Sequence, residues 1–188
     1  MARGRRQQII DVAAELFAER GFHGVTVDDI GAAVGVTGPA LYHHFSSKEE
    51  LLGCMLVGIS QRLLDGGLQR STSTPDAVGA LDALIAFHVE FSITQPALIT
   101  VHFRDLVHAP ADSREEVRRL QGEYVEVWVG LLVRAVPGLD RRTARASAHA
   151  ALGLLNSTPY SARLGRDAMR RLLTRMATAA LSAAPDPA

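Results

Sequence analysis

The chain contains 188 residues, of which 47% are hydrophobic, 21% are charged and 5% are aromatic. This composition is typical of a globular protein and excludes a disordered or collagen-like chain, because those classes need fewer apolar residues or a strict repeat. The 20 basic residues balance the 20 acidic residues, so the overall charge gives no support for nucleic-acid binding. The single cysteine, Cys54, excludes an intrachain disulfide framework.

The sequence shows no targeting segment. No apolar stretch follows the first basic residues, as a secretory signal would require. The longest apolar run, residues 51–59, contains Gly53 and Gly58 and is shorter than the roughly 20 residues that cross a bilayer. We therefore expect a cytoplasmic protein with no membrane partner.

Helical periodicity between breaker residues predicts an all-α fold of nine helices. An apolar stripe runs along the first helix, residues 4–20, and Gly21 ends it. Thr26 is a predicted N-cap, and Asp29 three residues later completes a capping box that begins a short second helix. Arg3, Arg5 and Arg6, near the N-terminus, are expected to form a flexible basic arm beside these helices.

The third helix is the segment from Thr37 to about Phe45, and Pro39 occupies its first turn, where no backbone donor is lost. The remaining helices are predicted at residues 48–70, 75–94, 96–108, 111–136, 140–156 and 166–183. We divide the chain into a head, residues 1–47, and a C-terminal domain, residues 48–188. No internal repeat is present.

Residues 26–45 form two short helices joined by a turn at Gly35, which is the helix-turn-helix pattern. In this pattern the second helix enters the DNA major groove. Leu41 and Phe45 share one face of that helix and are predicted to face the core. The opposite face carries Pro39, Ala40, Tyr42, His43 and His44, with Arg5 and Lys48 as basic side chains nearby.

The charge of the N-terminal part of the chain weakens this interpretation. Residues 1–50 hold five basic and seven acidic residues, a net charge of −2, which is unusual for a DNA-binding module. From the pattern alone, a purely structural helix pair therefore remains the alternative.

Three stretches, residues 9–22, 26–36 and 38–52, resemble the opening of TetR-family transcriptional regulators. The last of them, GPALYHHFSSKEELL, carries the resemblance most strongly, and the match covers residues 7–52 almost without gaps. It implies a dimeric, ligand-responsive repressor whose first three helices bind an inverted-repeat operator. The remaining helices would then form the ligand cavity and the dimer interface.

The resemblance also assigns individual DNA contacts. It places Thr37, Pro39, Ala40, Tyr42, His43, His44 and Lys48 at positions used on DNA, and Thr26 and Val27 at positions that contact the DNA backbone. The chain departs from the family at Gly38, where members often carry a basic or polar residue. Because Gly38, Pro39 and Ala40 donate no side-chain hydrogen bond to a base, we expect Thr37, His43, methyl contacts and DNA shape to carry recognition.

Polar and aromatic residues on apolar faces of the C-terminal domain predict an apolar effector pocket with a few orienting groups. The candidate lining residues are Phe87, His88, Phe91, His102, Phe103, Leu106, Tyr124, Trp128 and Asn156. The alternative is that each is a hydrogen-bonded core residue. A faint resemblance of residues 123–128 and 149–159 to regulators near acyl-CoA and lipid genes suggests an acyl-CoA or lipid-like effector. An unrelated hydrophobic effector of a drug-efflux or catabolic operon is the other possibility.

Stripes of small and apolar residues on the last two long helices predict a dimer interface built as a four-helix bundle. The candidate residues are Ala144, Ala148, Leu152, Leu155, Met169, Leu172, Leu173 and Met176. Packing of these stripes within one chain is the alternative. Arg104 and Asp105 are interpreted as a surface ion pair.

No nucleophile elbow, phosphate-binding glycine loop or dinucleotide fingerprint is present, and the seven histidines lack metal-ligand spacing. We therefore predict no catalytic residue, no metal and no cofactor, and interpret Cys54 as an inert core residue. Two further non-enzyme alternatives stay open at this point. One is a regulator that recruits a protein partner without contacting DNA, and the other is an activator.

Overall fold

The computed structural model describes residues 2–73 and 75–182, apart from the side chains of residues 2, 3, 38 and 39. Within these residues the chain is all-α, as predicted, and holds no strand. The helices are α1 (Ala2–Arg20), α2 (Val27–Val34), α3 (Gly38–Leu41), α4 (Lys48–Ser71), α5 (Ala77–Thr94), α6 (Pro96–Asp105), α7 (Ala111–Ala135), α8 (Arg141–Leu155), α9 (Thr158–Ser161) and α10 (Arg166–Ser182). A 3-10 turn, Leu106–His108, follows α6.

The main departures from the prediction are two earlier helix ends and one additional helix. The α-helical part of the third helix ends at Leu41 rather than near Phe45, and α6 ends at Asp105 because the chain continues as the 3-10 turn. The one-turn helix α9 is absent from the prediction, which treats Pro159 as a breaker. In the structure Pro159 lies in the first turn of α9, where a missing backbone donor costs nothing.

The predicted capping box at the start of α2 is present. The Thr26 hydroxyl accepts a hydrogen bond from the Asp29 backbone N–H, and the Asp29 carboxylate accepts one from the Thr26 backbone N–H at 2.8 Å. Gly35 ends the helix in the left-handed conformation, with φ of 71°. An eight-residue helix is marginal alone, so these caps and its packing against α1 and α3 hold it in place.

The described residues form two compact units. The first contains the chain up to Ser60 together with Ala97–Arg118, and the second contains Gln61–Pro96 together with the described residues from Arg119 onward. This division differs from the predicted boundary after residue 47, because the first part of α4 contributes buried residues such as Leu51 and Leu52 to the first unit.

The core of the first unit supports α3. Phe17, Ile30, Leu41 and Phe45 are each at most 1% exposed. Burial of a side chain of this size is worth about 1.5–3 kcal/mol. The predicted burial of Leu41 and Phe45 is therefore confirmed, and the opposite side of α3 is the one that faces solvent.

In the second unit α10 packs against α5 and α8. This packing buries five of the predicted dimer-interface residues within a single chain: Ala144, Ala148, Leu155, Met169 and Leu173, each at most 3% exposed. The prediction that these five residues pair with a second subunit is corrected, because their surface is used inside the chain. Of the other three, Met176 is 45% exposed, and Leu152 and Leu172 are half-buried.

Two helices, α4 and α5, have the length and mean hydropathy of a membrane span, although neither contains a long uninterrupted apolar run. This is weak evidence, since core helices pass the same test. Leu51 and Leu52 on α4, and Leu84 and Ile85 on α5, are at most 1% exposed inside the protein.

Candidate nucleic-acid interface and buried polar cluster

The exposed side of the third helix and its turn is the candidate nucleic-acid interface. We call it the α3 surface and define it by Thr37, Ala40, Tyr42, His43 and His44. Tyr42 is 53% exposed, and Thr37 and His43 are exposed, whereas Ala40 and His44 are half-buried. The side chains of Gly38 and Pro39 lie outside the described part of the chain. The α3 surface thus offers a phenol, a hydroxyl and two imidazoles.

Thr37 is the N-cap of α3, but its side chain makes no capping hydrogen bond. The Thr37 hydroxyl is therefore available to an external partner. Thr26 differs, because its hydroxyl also donates to the Asp29 carboxylate at 2.6 Å and is fully engaged in the capping box. That hydrogen bond is the main cause that lowers the pKa of Asp29 below its usual value. Only the half-buried Val27 and the backbone around it remain as predicted contacts there.

Lys48 is predicted to contact DNA, yet its ammonium group points into the protein. Its Nζ donates to the carbonyl oxygens of Phe22 at 2.8 Å and Val25 at 2.7 Å, and lies 4.3 Å from the centre of the Phe22 ring. Lys48 therefore anchors the start of α4 to the turn between α1 and α2. In this geometry Lys48 stabilises the segment behind the α3 surface and does not offer it a free positive charge.

The basic residues near the N-terminus belong to α1 and are not a flexible arm. Arg5 donates to the Gln8 side chain at 2.9 Å and remains half-exposed. The Arg6 guanidinium lies 4.6 Å from the centre of the Phe45 ring and donates to Cys54 Sγ at 3.1 Å. Arg6 thus braces the core side of α3, and Cys54 is half-buried beside it rather than a fully buried core residue.

Arg104 and Asp105 are not the surface pair that the sequence suggests. Asp105 is 3% exposed, and its carboxylate accepts from the Arg104 guanidinium at 3.0 Å. The same guanidinium donates to the carbonyl oxygens of Phe17 and Ala18 in the last turn of α1. The Phe17 carbonyl also accepts from the Gly21 backbone N–H at 2.8 Å. The guanidinium supplies a further donor, and its positive charge is favourable at the C-terminal end of α1. Within the first unit, α6 is therefore tied directly to α1.

Four of the predicted effector residues form a buried polar cluster in the second unit: His88, Tyr124, Trp128 and Asn156. His88 Nδ1 lies 3.0 Å from the Tyr124 hydroxyl, and its Nε2 lies 3.1 Å from Asn156 Oδ1. With the Asn156 oxygen on that side, Nε2 carries the proton and Nδ1 accepts from the tyrosine. The Trp128 ring packs edge-on against both His88 and Tyr124.

Burial sets the electrostatics of this cluster. Burial lowers the pKa of His88 to about 4, although the hydrogen bond to Asn156 by itself raises this pKa. Burial also raises the pKa of Tyr124 well above its usual value. Both side chains are therefore neutral at pH 7. The Trp128 side chain is fully buried, and its interaction with the Tyr124 hydroxyl partly opposes the rise in the tyrosine pKa.

The other predicted effector residues divide between the two units. Phe91 stacks edge-on against His88, and Phe87 packs under the Arg70 guanidinium, both in the second unit. His102, Phe103 and Leu106 belong to the first unit. Phe103 is 64% exposed, while burial lowers the pKa of His102. The structure thus brings five of the nine predicted residues into one cluster, the four polar-cluster residues and Phe91.

A groove between α4 and α7 in the second unit, with a volume of about 440 Å³, is not among the predicted sites. Its lining residues are Leu64, Leu68, Ser71, Glu123, Glu126, Val127, Gly130, Leu131 and Arg134. The contact of Arg104 with α1, which joins residues 86 positions apart, is not predicted either. Helical periodicity shows which face a residue occupies but not which distant helix that face meets, so no sequence signal marked either feature.

Comparison with known proteins is consistent in both parts of the chain. Residues 9–54 match the family model described as "Bacterial regulatory proteins, tetR family", and residues 74–182 match the "Tetracyclin repressor-like, C-terminal domain". The transcriptional repressor KstR2 of Rhodococcus jostii RHA1 is 34% identical over 134 residues, covering 71% of this chain. The match spans 66% of that relative, just under two thirds of its length.

Solved structures share the fold. A TetR-family transcriptional regulator from Bordetella parapertussis 12822 superimposes with a TM-score of 0.80 at 25% identity, covering 92% of this chain and 93% of its own. AibR, solved with isovaleryl coenzyme A and operator DNA, gives a TM-score of 0.74 at 20% identity, covering 92% of this chain and 97% of its own. At that identity the likeness to AibR establishes the fold alone.

Proposed function

Because this chain belongs to the tetR family of bacterial regulatory proteins, we propose that it is a cytoplasmic, ligand-responsive transcriptional repressor that binds an inverted-repeat operator as a homodimer. The observation that carries this proposal is the α3 surface. Tyr42 and His43 are exposed there, while Leu41 and Phe45 of the same segment are buried. A short helix held from behind and presented to solvent is what entry into a DNA major groove requires.

The N-terminal part of the chain carries few free positive charges, which affects how it would bind DNA. The net charge of −2 over residues 1–50 and the inward orientation of Lys48 reduce the sequence-independent attraction to phosphate. Hydrogen bonds from Thr37, Tyr42 and His43, together with DNA shape, therefore carry a larger share of the affinity. The salt dependence of operator binding is expected to be correspondingly shallow.

The proposed dimer uses the sides of α8 and α10 that the chain itself leaves exposed. Met176 is 45% exposed on α10, and His149 and Gly153 are exposed on α8. The buried stripe of each helix packs within the chain, so the second subunit meets the opposite stripe. A twofold pairing of this kind presents two α3 surfaces to the two halves of a palindromic site.

The proposed response to ligand depends on α4, which has residues in both units, and on the contact between α6 and α1. The helix α4 contributes its first part to the unit that holds the α3 surface and its second part to the unit that holds the buried polar cluster. Arg104 ties α6 to the end of α1. We infer that an effector that binds one arrangement of these helices more tightly shifts the spacing of the two α3 surfaces and lowers operator affinity.

Replacement of Tyr42 tests the proposal. We expect Tyr42→Ala to weaken binding to DNA from immediately upstream of the protein's own gene by about 1–3 kcal/mol, the usual cost of one specific contact. Gel-shift titration at fixed salt measures the change. Because Tyr42 is 53% exposed, the variant should fold normally.

Tyr160→Ala is the matched control, because Tyr160 is 75% exposed and belongs to the other unit. Its operator affinity should equal that of the unmodified protein. Equal affinities for the Tyr42 and Tyr160 variants would remove Tyr42 from the interface and contradict the proposed role of the α3 surface.

A further inference from the structure

The groove between α4 and α7 is built from one stripe of each helix. Leu64, Leu68 and Ser71 follow each other at helical spacing on α4, and residues 123–134 of α7 supply the facing side at the same spacing. Its volume of about 440 Å³ falls within the usual range of small-molecule sites, roughly 300–1,000 Å³. All of its lining residues belong to the second unit.

The floor of the groove is apolar and partly exposed. Leu64, Val127 and Leu131 line it, and Leu68 remains 49% exposed although it lies beside them. Gly130 lacks a side chain, and its Cβ position faces open space. An apolar segment placed in this groove would cover Leu68 and gain about 25 cal/mol for each Å² of apolar surface removed from water.

The charged side chains around the groove determine whether a cationic or an anionic ligand is favoured. Glu123 accepts from Arg119 at 2.5 Å, and Glu126 accepts from both Arg141 and Arg145. Both carboxylates are therefore already neutralised by guanidinium groups. Arg134, in contrast, is exposed and makes no ion pair within the described residues. The charge that remains for a ligand is positive.

The position of Arg134 also sets the orientation of a ligand. It lies in the last turn of α7, at one end of the groove, and Glu123 lies eleven residues earlier. That separation is about 16 Å along a helix, enough for an extended alkyl chain. An anionic head would meet the Arg134 guanidinium while the chain lies over Gly130, Val127 and Leu64.

We propose that this groove binds an amphipathic anion, a linear apolar chain that ends in a carboxylate or phosphate, and that it is the effector site of the protein. The effector assignment rests on the proposed repressor function, whereas the binding itself does not. The site is distinct from the buried polar cluster, whose His88, Tyr124 and Asn156 satisfy one another.

Titration calorimetry with dodecanoate below its micellar concentration tests the binding. The unmodified protein should bind dodecanoate, and should bind dodecanol and dodecylamine at least threefold more weakly because neither carries a negative charge. Dodecyl phosphate should bind with similar affinity, since the guanidinium donates hydrogen bonds to a carboxylate or a phosphate. Equal binding of dodecylamine and dodecanoate, or no binding of dodecanoate, would overturn the proposal.

Two variants locate the site. Arg134→Gln should weaken dodecanoate about threefold to tenfold, a range that allows for solvent screening of an exposed guanidinium. Gly130→Leu places a side chain in the groove and should weaken binding at least tenfold. Gly122→Leu is the matched control, because Gly122 lies on the same helix, also faces open space and does not line the groove. Both leucine substitutions favour the helix equally.

Unchanged dodecanoate binding by Gly130→Leu would overturn the location. For the effector role, saturating dodecanoate should weaken operator binding by the unmodified protein and by Gly122→Leu, but not by Gly130→Leu. Operator binding that is indifferent to dodecanoate in all three proteins would overturn that role. Failure of operator binding without any ligand would instead contradict the proposed function, so the two failures are distinguishable.

Discussion

His88 shows how the surroundings of one side chain determine its charge. The imidazole is 2% exposed and hydrogen-bonded on both sides by neutral groups. Among the described residues no carboxylate bonds to the imidazole to stabilise a positive charge, so burial dominates and lowers its pKa from 6.5 to about 4. The native state therefore holds His88 neutral over a pH range in which the unfolded chain protonates it.

This difference predicts a pH dependence of stability. Between pH 6.5 and about 4 the unfolded state binds a proton that the native state does not, so the free energy of unfolding falls as the pH falls. The contribution of His88 is of order 3 kcal/mol over that window.

Urea unfolding at pH 7.5, 6, 5 and 4.5 measures this dependence. The free energy of unfolding should fall more steeply with decreasing pH in the unmodified protein than in His88→Gln. A control variant, His149→Gln on the exposed side of α8, should keep the steep dependence. Identical pH profiles for the unmodified protein and His88→Gln would refute the assignment.

Individual side chains differ in how far the sequence predicts them. The inward faces of Leu41 and Phe45 follow from helical spacing, because burial along one helix is a local property. The inward orientation of Lys48 does not, since its partners Phe22 and Val25 lie more than twenty residues earlier. Arg6 is a similar case, because its contact with Cys54 joins two different helices.

Among the helices, α2 depends most on its first residue. The Thr26 hydroxyl both donates to the Asp29 carboxylate and accepts from the Asp29 backbone N–H. The helix that these bonds cap is only eight residues long. We expect Thr26→Ala to lower the free energy of unfolding by about 0.5–2 kcal/mol, the usual cost of a lost cap.

Thr37→Ala is the matched comparison, because the Thr37 side chain makes no capping bond. It should leave stability nearly unchanged while weakening operator binding. Chemical denaturation of both variants measures the difference, and equal losses of stability would show that the capping box contributes nothing specific.

The Arg104 side chain ties α6 to α1. Arg104→Ala removes the guanidinium from the carbonyl groups of Phe17 and Ala18 and leaves the buried Asp105 without its ion-pair partner. We expect a loss of about 1–3 kcal/mol in the free energy of unfolding, because an unpaired buried carboxylate is costly. Arg118→Ala, an exposed arginine of the same unit, should have little effect. If both variants unfold at the same urea concentration, the contact between α6 and α1 does not stabilise the protein.

The order of the longer helices follows from breakers and caps, which act locally, and eight described helices of at least eight residues lie where periodicity places them. The division into units could not be predicted in the same way. Residues 97–118 join the first unit although they lie more than thirty residues beyond the end of its other segment. The small-residue stripe of α8 illustrates the same limit. Its spacing predicts close helix packing, but α10 of the same chain, rather than a second subunit, covers it.

Over the full chain, balanced charge and a single exposed α3 surface per subunit make symmetry essential to the proposed function. One four-residue helix with no free lysine beside it offers few contacts, so one subunit alone would bind weakly. Two subunits related by a twofold axis double those contacts and read two half-sites about one helical turn of DNA, or a multiple of it, apart. Dimerisation and operator binding are therefore expected to be inseparable.

The most direct test is a DNase footprint of the purified protein on DNA upstream of its own gene, with sedimentation velocity at the same protein concentration. The account predicts a dimer that protects two inverted half-sites spaced by a whole number of helical turns, and loss of protection at both half-sites together in Tyr42→Ala. A monomer in sedimentation, a single asymmetric protected site, or full protection by Tyr42→Ala would contradict it.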